Sequence, residues 1–250
     1  MAKRRHTRRR RHHRGFGVLY KLLSVIVISA AIVIALTLFF KVDSISVSGV
    51  TQYSSEEIIA ASGVKTGDNL FLLNKYDISD AIIENLPYVS SVSINRKLPD
   101  TLVIEVTDSN QGGVIQQGRD YWVVSSEGKL LGKRAEAGSG ALIVGIELQD
   151  PQVGQKVAAA EGQERKLSQL LDLFDALEEK GMLPGVSQID FSTDSVISMD
   201  YAQRFTVKFA YGADFTYKLS NLNQVIDQLE ENEQGTIDLT VDSRANFIPR

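Results

Sequence analysis

The most conspicuous feature of the hydrophobic pattern is a run without periodicity. Leu22 to Phe40 is 19 residues free of charge, with Ser24, Ser29 and Thr37 as its polar members. At about 1.5 Å of rise per residue, a helix over this run is roughly 28 Å long, close to the hydrocarbon thickness of a bilayer. It is longer than the core of a secretory signal peptide and ends in Leu38-Phe39-Phe40-Lys41 rather than a small-residue cleavage site, so the pattern predicts a retained anchor.

Beyond it the pattern becomes periodic. Ile45 and Val47 alternate with Ser44, Ser46 and Ser48, a half-buried strand stopped by Gly49. Ser54 followed by Glu57 forms a capping box for a short helix through Ile58 to Ala61, closed by Gly63. Gly67-Asp68-Asn69 reads as a turn, and Asp77 as the N-cap of a second helix carrying Ile78, Ile82, Ile83 and Leu86 and ended by Pro87. Val92 and Ile94, then Leu102, Ile104 and Val106, flank Leu98-Pro99-Asp100 as a hairpin. The order strand, helix, helix, strand, strand over residues 42 to 107 predicts two helices on one face of a three-stranded sheet.

A second domain is predicted from residue 113 to 250. Tyr121 to Leu131 reads as a hairpin around Ser126-Glu127-Gly128, followed by a strand at Ala141 to Val144. Leu167, Leu170, Leu171, Phe174 and Leu177 have helical spacing with a stop at Gly181. Strands follow at 189–191, 196–199 and 205–209, then a helix bearing Leu219, Leu222, Val225, Ile226 and Leu229, then a last strand in which Ile237, Leu239 and Val241 alternate. The fold class is α+β: a single transmembrane helix, a β-α-α-β-β domain and a second mixed α+β domain. Between the two domains, the polar run from Thr107 to Gly113 reads as a flexible joint or as a turn within continuous structure.

Charge adds orientation. Residues 1 to 21 hold nine Lys or Arg and no acid, leaving 18 bases against 31 acids in the remainder. The basic excess before the apolar run places the short N-terminus in the cytoplasm and residues 42 to 250 outside. The arm has no aromatic residue before Phe16 on which bases could stack, so it reads as a topogenic segment against anionic lipid rather than a nucleic-acid binder. Chemistry is restricted as strongly. There is no Cys, and all three His lie within the first 13 residues. Thiolate sites and iron–sulfur clusters are excluded, and the predicted domains lack imidazole for a Ser-His-Asp triad or the usual zinc sites. Asp172, Asp175, Glu178 and Glu179 fall opposite Leu170, Phe174 and Leu177, on a solvated face, and no phosphate-binding glycine loop occurs. The expectation is a protein without enzymatic activity, metal or cofactor that binds through its surface. The last strand, Thr236 to Val241, offers a partner unpaired backbone groups if it lies at a sheet edge.

Several pieces of sequence occur together in a recognisable order. Ile45 to Val50, the Ser54-Ser55-Glu56-Glu57 helix start, Gly63-Val64-Lys65 with Gly67-Asp68-Asn69-Leu70, Leu86-Pro87-Tyr88-Val89, and Arg96 with Leu98-Pro99-Asp100-Thr101-Leu102 resemble a POTRA domain of the FtsQ/DivIB cell-division family. Gly145 with Gly154, Ile189 to Ser192, Tyr217-Lys218-Leu219 and Gly235 to Leu239 resemble that family's second, β domain. The stretch Thr107 to Gly113 departs from the Glu-Arg-x-Pro continuation common in the family. The resemblance implies a single-pass protein of the cell membrane and division septum that receives membrane-anchored partners of the FtsB/DivIC and FtsL type and helps to control septal peptidoglycan synthesis. Carried onto this chain, it assigns partner binding to Ile237, Leu239, Thr240, Val241, Asp242 and Ser243, with Phe247 as an apolar anchor. Ile237, Leu239 and Val241 are also expected to point into the core. Two other readings are a POTRA-bearing secretion or assembly factor holding exported clients, and an anchored wall hydrolase using a Ser-Lys dyad or paired carboxylates.

Overall fold

A computed structural model of the chain describes residues 14–241 and 244–250. Most of the basic arm, residues 1 to 13, lies outside the described residues. Helix α1 spans Arg14–Phe39, so it begins before Lys21, and its segment Gly17–Phe39 is long and apolar enough to cross a membrane, with none of it buried against protein. The hydroxyls inside it are satisfied by the helix itself: Ser24 donates to the Tyr20 carbonyl at 2.8 Å and Thr37 to that of Val33 at 3.0 Å.

The first domain consists of β1 (Ser44–Val50), α2 (Ser55–Ser62), α3 (Lys75–Asn85), β2 (Val89–Lys97) and β3 (Thr101–Asp108). Its sheet has the order β1-β3-β2, with β1 parallel and β2 antiparallel to the central β3. The capping box forms as read: Ser54 N–H donates to the Glu57 carboxylate at 2.8 Å, and Ser54 Oγ accepts from Glu57 N–H at 3.3 Å. The Ser54 backbone and hydroxyl hydrogen bonds hold the Glu57 carboxyl below its ordinary range. The start of α3 differs from expectation. Asn74 is the N-cap, accepting from Tyr76 N–H at 3.1 Å, while Asp77 lies inside the first turn and accepts from the Asn74 amide. Either residue type can cap, and the earlier one does so here because Lys75 and Tyr76 already continue the helix. Ile58, Leu70, Ile82, Leu102 and Ile104 close a core between the helices and the sheet.

The second domain is a nine-stranded sheet built from β4 (Gln111–Gln117), β5 (Asp120–Ser125), β6 (Leu130–Arg134), β7 (Ala141–Val144), β8 (Val186–Asp190), β9 (Val196–Tyr201), β10 (Phe205–Ala210), β11 (Gly235–Asp238) and β12 (Asn246–Pro249). The strand order is β12-β11-β10-β9-β8-β7-β4-β5-β6. Helices α4 (Glu164–Glu179) and α5 (Phe215–Ile226) supply Leu170, Leu173, Phe174, Leu177, Leu219 and Leu222 to its core. Register makes that core continuous. Ile115, Ile143, Ile189, Met199, Val207, Ile237 and Phe247 are successive partners in one row across seven strands. The first six are essentially inaccessible, and Phe247 ends the row half-buried.

The junction between the domains is continuous structure. Only Ser109 and Asn110 separate β3 from β4, and both are held: Ser109 N–H donates to the Tyr88 carbonyl at 2.7 Å, and Ser126 N–H donates to the Asn110 carbonyl at 3.0 Å. The polar glycine run therefore belongs to a strand. Gly112 lies under the Phe174 ring and Gly113 against Ile143, where a side chain would collide. Lys129, on the β5–β6 turn, reaches into the first domain and donates to the carbonyls of Ile83 at 3.1 Å and Val89 at 3.2 Å. Ile83 lies in the last turn of α3, where carbonyls lack helical partners and a cation is favoured. Burial pushes the Lys129 ammonium pKa down, opposed by Glu127 nearby. Lys129→Met removes both bonds and is expected to loosen the joint by about 2 kcal/mol while each domain stays folded. Pulsed electron-spin distance measurements between labels at Glu56 and Ser195 then give a broader distribution than in the parent chain.

Candidate partner-docking edge

The C-terminal edge is assembled from the chain segments that follow β10. Asp214 caps α5, accepting from Tyr217 N–H at 3.0 Å, and the helix carries the chain across to β11, which lies parallel to β10. Arg204 pins the connecting loop by donating to the carbonyls of Glu230 at 2.5 Å and Glu233 at 3.1 Å while its guanidinium stacks on Phe205 at 4.7 Å. After β11 the chain turns sharply. The Asp238 carboxylate accepts from Thr240 Oγ1 at 2.7 Å and Thr240 N–H at 2.9 Å, and these bonds hold its pKa below the ordinary carboxylate value. The buried Lys218 of α5 donates to the Val241 carbonyl at 2.8 Å. The chain then returns as β12, antiparallel to β11.

This arrangement separates the residues assigned to partner binding. Ile237 and Leu239 lie in the core with no accessible surface. Thr240 is half-buried, and its donors are occupied by Asp238. Val241, expected to face the core, is 53% exposed, because the strand ends at Asp238 and the alternation does not continue through the turn. Asp242 and Ser243 lie outside the described residues. Phe247 packs edge-on against Phe205, ring centroids 6.3 Å apart.

The condition on which the Thr236–Val241 strand would offer unpaired backbone groups, a place at the sheet edge, is not met. β11 is an interior strand, paired with β10 on one side and β12 on the other. The pattern of hydrophobic positions does not predict β12. Its alternation, Asn246-Phe247-Ile248-Pro249, is four residues long and ends in proline, too short a signal to outweigh a terminal tail. The residues missed are Asn246, Ile248 and Pro249.

The ladder determines what the new edge offers. Arg250 N–H donates to the Gln234 carbonyl at 2.9 Å, so alternate residues 248 and 246 also turn their backbone groups toward β11. Phe247 and Pro249 turn theirs outward, and Pro249 has no N–H to leave unpaired. The free edge thus presents the N–H and C=O of Phe247 and the C=O of Pro249. Beside it, Ile248 is 57% exposed and registered opposite Thr236, which lines a polar cleft of about 270 Å³ together with residues that include Asp200, Thr206 and Arg250.

Comparison with known proteins bears on the whole assembly. The family model for the FtsQ-type POTRA domain matches residues 40–108, and that for the C-terminal region of cell division protein FtsQ/DivIB matches residues 113–240. This chain belongs to the FtsQ/DivIB family of cell division proteins. It is 27% identical over 231 residues to cell division protein DivIB of Clostridium botulinum, covering 90% of this chain and 89% of the relative. It is 28% identical over 210 residues to cell division protein FtsQ of Geotalea daltonii, covering 79% and 71%. The FtsQ/DivIB match ends at residue 240, so β12 lies just beyond it.

Elsewhere in this FtsQ/DivIB chain, a cleft of about 550 Å³ opens where β4, β7 and β8 begin, lined by residues that include Gln111, Ser139, Glu178, Leu183 and Val186. Its carboxylate, Glu178, is bound by the Asn110 amide. Among the described residues, no group of three or more His, Cys, Asp or Glu is arranged to hold a metal ion.

Proposed function

We propose that this division protein is a non-enzymatic, bitopic scaffold. Residues 1 to 21 remain in the cytoplasm, residues 22 to 40 span the membrane, and the domains at 42 to 107 and 113 to 250 work on the outer side at the septum. The C-terminal edge receives membrane-anchored partners of the FtsB/DivIC and FtsL type, and through them the protein influences septal peptidoglycan synthesis. The observation that carries this reading is the strand edge at β12, with the outward backbone groups of Phe247 and the exposed Ile248 side chain beside it. A partner segment adding as a further strand gains main-chain hydrogen bonds from the edge and specificity from the flanking side chains. The absence of His and Cys beyond residue 13 supports action by contact rather than by bond chemistry.

The test is photo-crosslinking in living cells with the full chain. A photoreactive residue at Ile248 is expected to trap a single-pass division protein, whereas one at Ser195, on the β8–β9 turn, traps none. Crosslinks of equal yield from both positions, or capture of exported clients in place of division proteins, overturn the assignment.

A further inference from the structure

The first domain has no linker between it and the span. α1 ends at Phe39, and Lys41 already forms a β-bridge with Asn69. The Asn69 side-chain amide donates to the carbonyls of Leu36 and Thr37, both at 3.2 Å, closing the C-terminal end of the helix with a loop of the folded domain. Leu70 N–H donates to the Phe40 carbonyl at 2.9 Å, and the Phe40 ring packs edge-on against Phe71 at 4.9 Å.

Depth follows from helix geometry. The centre of Gly17–Phe39 is residue 28. A hydrocarbon half-thickness of about 15 Å at about 1.5 Å per residue places the boundary about ten residues further on, beside Thr37 to Phe39. Asn69 is bonded to that same turn, so the loop lies at headgroup level. Its polarity is inverted for a loop in water. Leu70 is fully buried and Leu73 packs on the domain core, yet Phe71 is 49% and Leu72 77% exposed, and Tyr76 on the next turn is 80% exposed. Arg96 lies over the Phe71 ring at 5.9 Å and donates to the Leu73 carbonyl at 2.7 Å.

We infer that the Asn69–Tyr76 segment is a second membrane contact, with Phe71 and Leu72 inserted into the interfacial layer of the outer leaflet and Tyr76 lying at its water boundary. Aromatic and aliphatic side chains in this zone exchange water for acyl-chain contact while a phenol keeps its hydroxyl wet. The contact is apolar rather than electrostatic. The cations here, Lys41, Lys65, Lys75 and Arg96, are matched by Asp43, Asp68, Asp77 and Asp100: Val42 N–H to the Asp68 carbonyl, Asp43 N–H to the Asp100 carbonyl and Lys65 N–H to the Asp68 carboxylate bring them to the same end of the domain, and Lys75 stands two residues before Asp77. The consequence is a domain held at a fixed tilt on the bilayer, setting the direction in which the distal edge faces. The inference rests on the span proposed above.

The absence of native cysteine makes single-site labelling clean. Nitroxides are placed on the full chain in zwitterionic nanodiscs by Leu72→Cys, Ile28→Cys and Val153→Cys, and their accessibilities to oxygen and to a water-soluble nickel complex are compared. The expected oxygen-to-nickel ratio at position 72 is several-fold above that at the exposed position 153, below that at the span centre, and unchanged by added salt. A ratio at 72 equal to that at 153, with 28 still in hydrocarbon, overturns the inference and leaves the span intact. Aqueous behaviour at 28 removes the span and this contact together. Shielding of 72 from both reagents assigns the patch to a protein surface instead. A lipid signal that appears only when anionic lipid is added overturns the apolar mechanism.

Discussion

Replacing Gly235 with Ala is expected to detach β12 and with it the proposed docking edge. A Cβ at this position would sit 2.2 Å from the Ile248 carbonyl oxygen and 2.9 Å from the Phe247 ring. The first of these is backbone, so relief requires the strand itself to move rather than a side chain to rotate. Phe247 then loses its place at the end of the buried row, and Phe205 loses the ring that packs against it. The loss of half a buried aromatic and the strand's hydrogen bonds amounts to about 2 kcal/mol, local to four residues and small against the core of the domain. Amide exchange should report it directly: the N–H groups of Asn246, Ile248 and Arg250 exchange at least about tenfold faster, while those of β9 and β10 keep their protection. Affinity for a partner that adds a strand beside β12 falls by a comparable factor. Truncation after residue 245 separates two versions of the docking reading. Weakened binding means that β12 is the platform, whereas strengthened binding means that it occupies the partner's place on β11.

How much of this was legible beforehand varies with the length of each pattern. The span, the capping box at Ser54 and the helix around Leu170, Phe174 and Leu177 were readable because their signals are local and repeat over many residues. The domain junction was not. Gly112 and Gly113 resemble a hinge in one dimension, and only the position of Phe174, more than sixty residues away in the chain, explains why a strand there must lack side chains. The position of the sheet edge is hidden from the sequence for a related reason. Ile237, Leu239 and Val241 alternate as a strand should, but a terminal tail of four residues came back to cover it, and the contact that recruits the tail, Phe247 on Phe205, is tertiary. In the sequence Gly235 carries only the family resemblance. Its physical role, space for the Ile248 carbonyl, depends on a strand whose own signal is only four residues long.

The largest loss of stability is expected from Gly145→Ala. Gly145 follows β7 with φ +83°, a left-handed conformation in which a side chain costs about 1 to 2 kcal/mol. Space compounds the cost. A Cβ would stand 2.4 Å from Ser192 N and 2.5 Å from the Phe191 carbonyl carbon, both backbone atoms of the segment leaving β8. That segment cannot retreat freely, because Phe191 N–H donates to the Val144 carbonyl at 2.8 Å, extending the parallel pairing of Val144 with Asp190 by one step. Moving it also withdraws the Phe191 side chain, which has no accessible surface and lies in the main core. The conformational penalty and the displaced core residue together come to about 4 kcal/mol, in the range of a large core truncation. For a domain of this size that lowers the melting temperature by roughly 10 °C. The loss should appear as a shift of the denaturant midpoint with an unchanged slope, since the amount of surface exposed on unfolding is the same. If Gly145→Ala melts within a degree or two of the parent, the close passage of β7 past Phe191 and Ser192 is not a constraint on this fold.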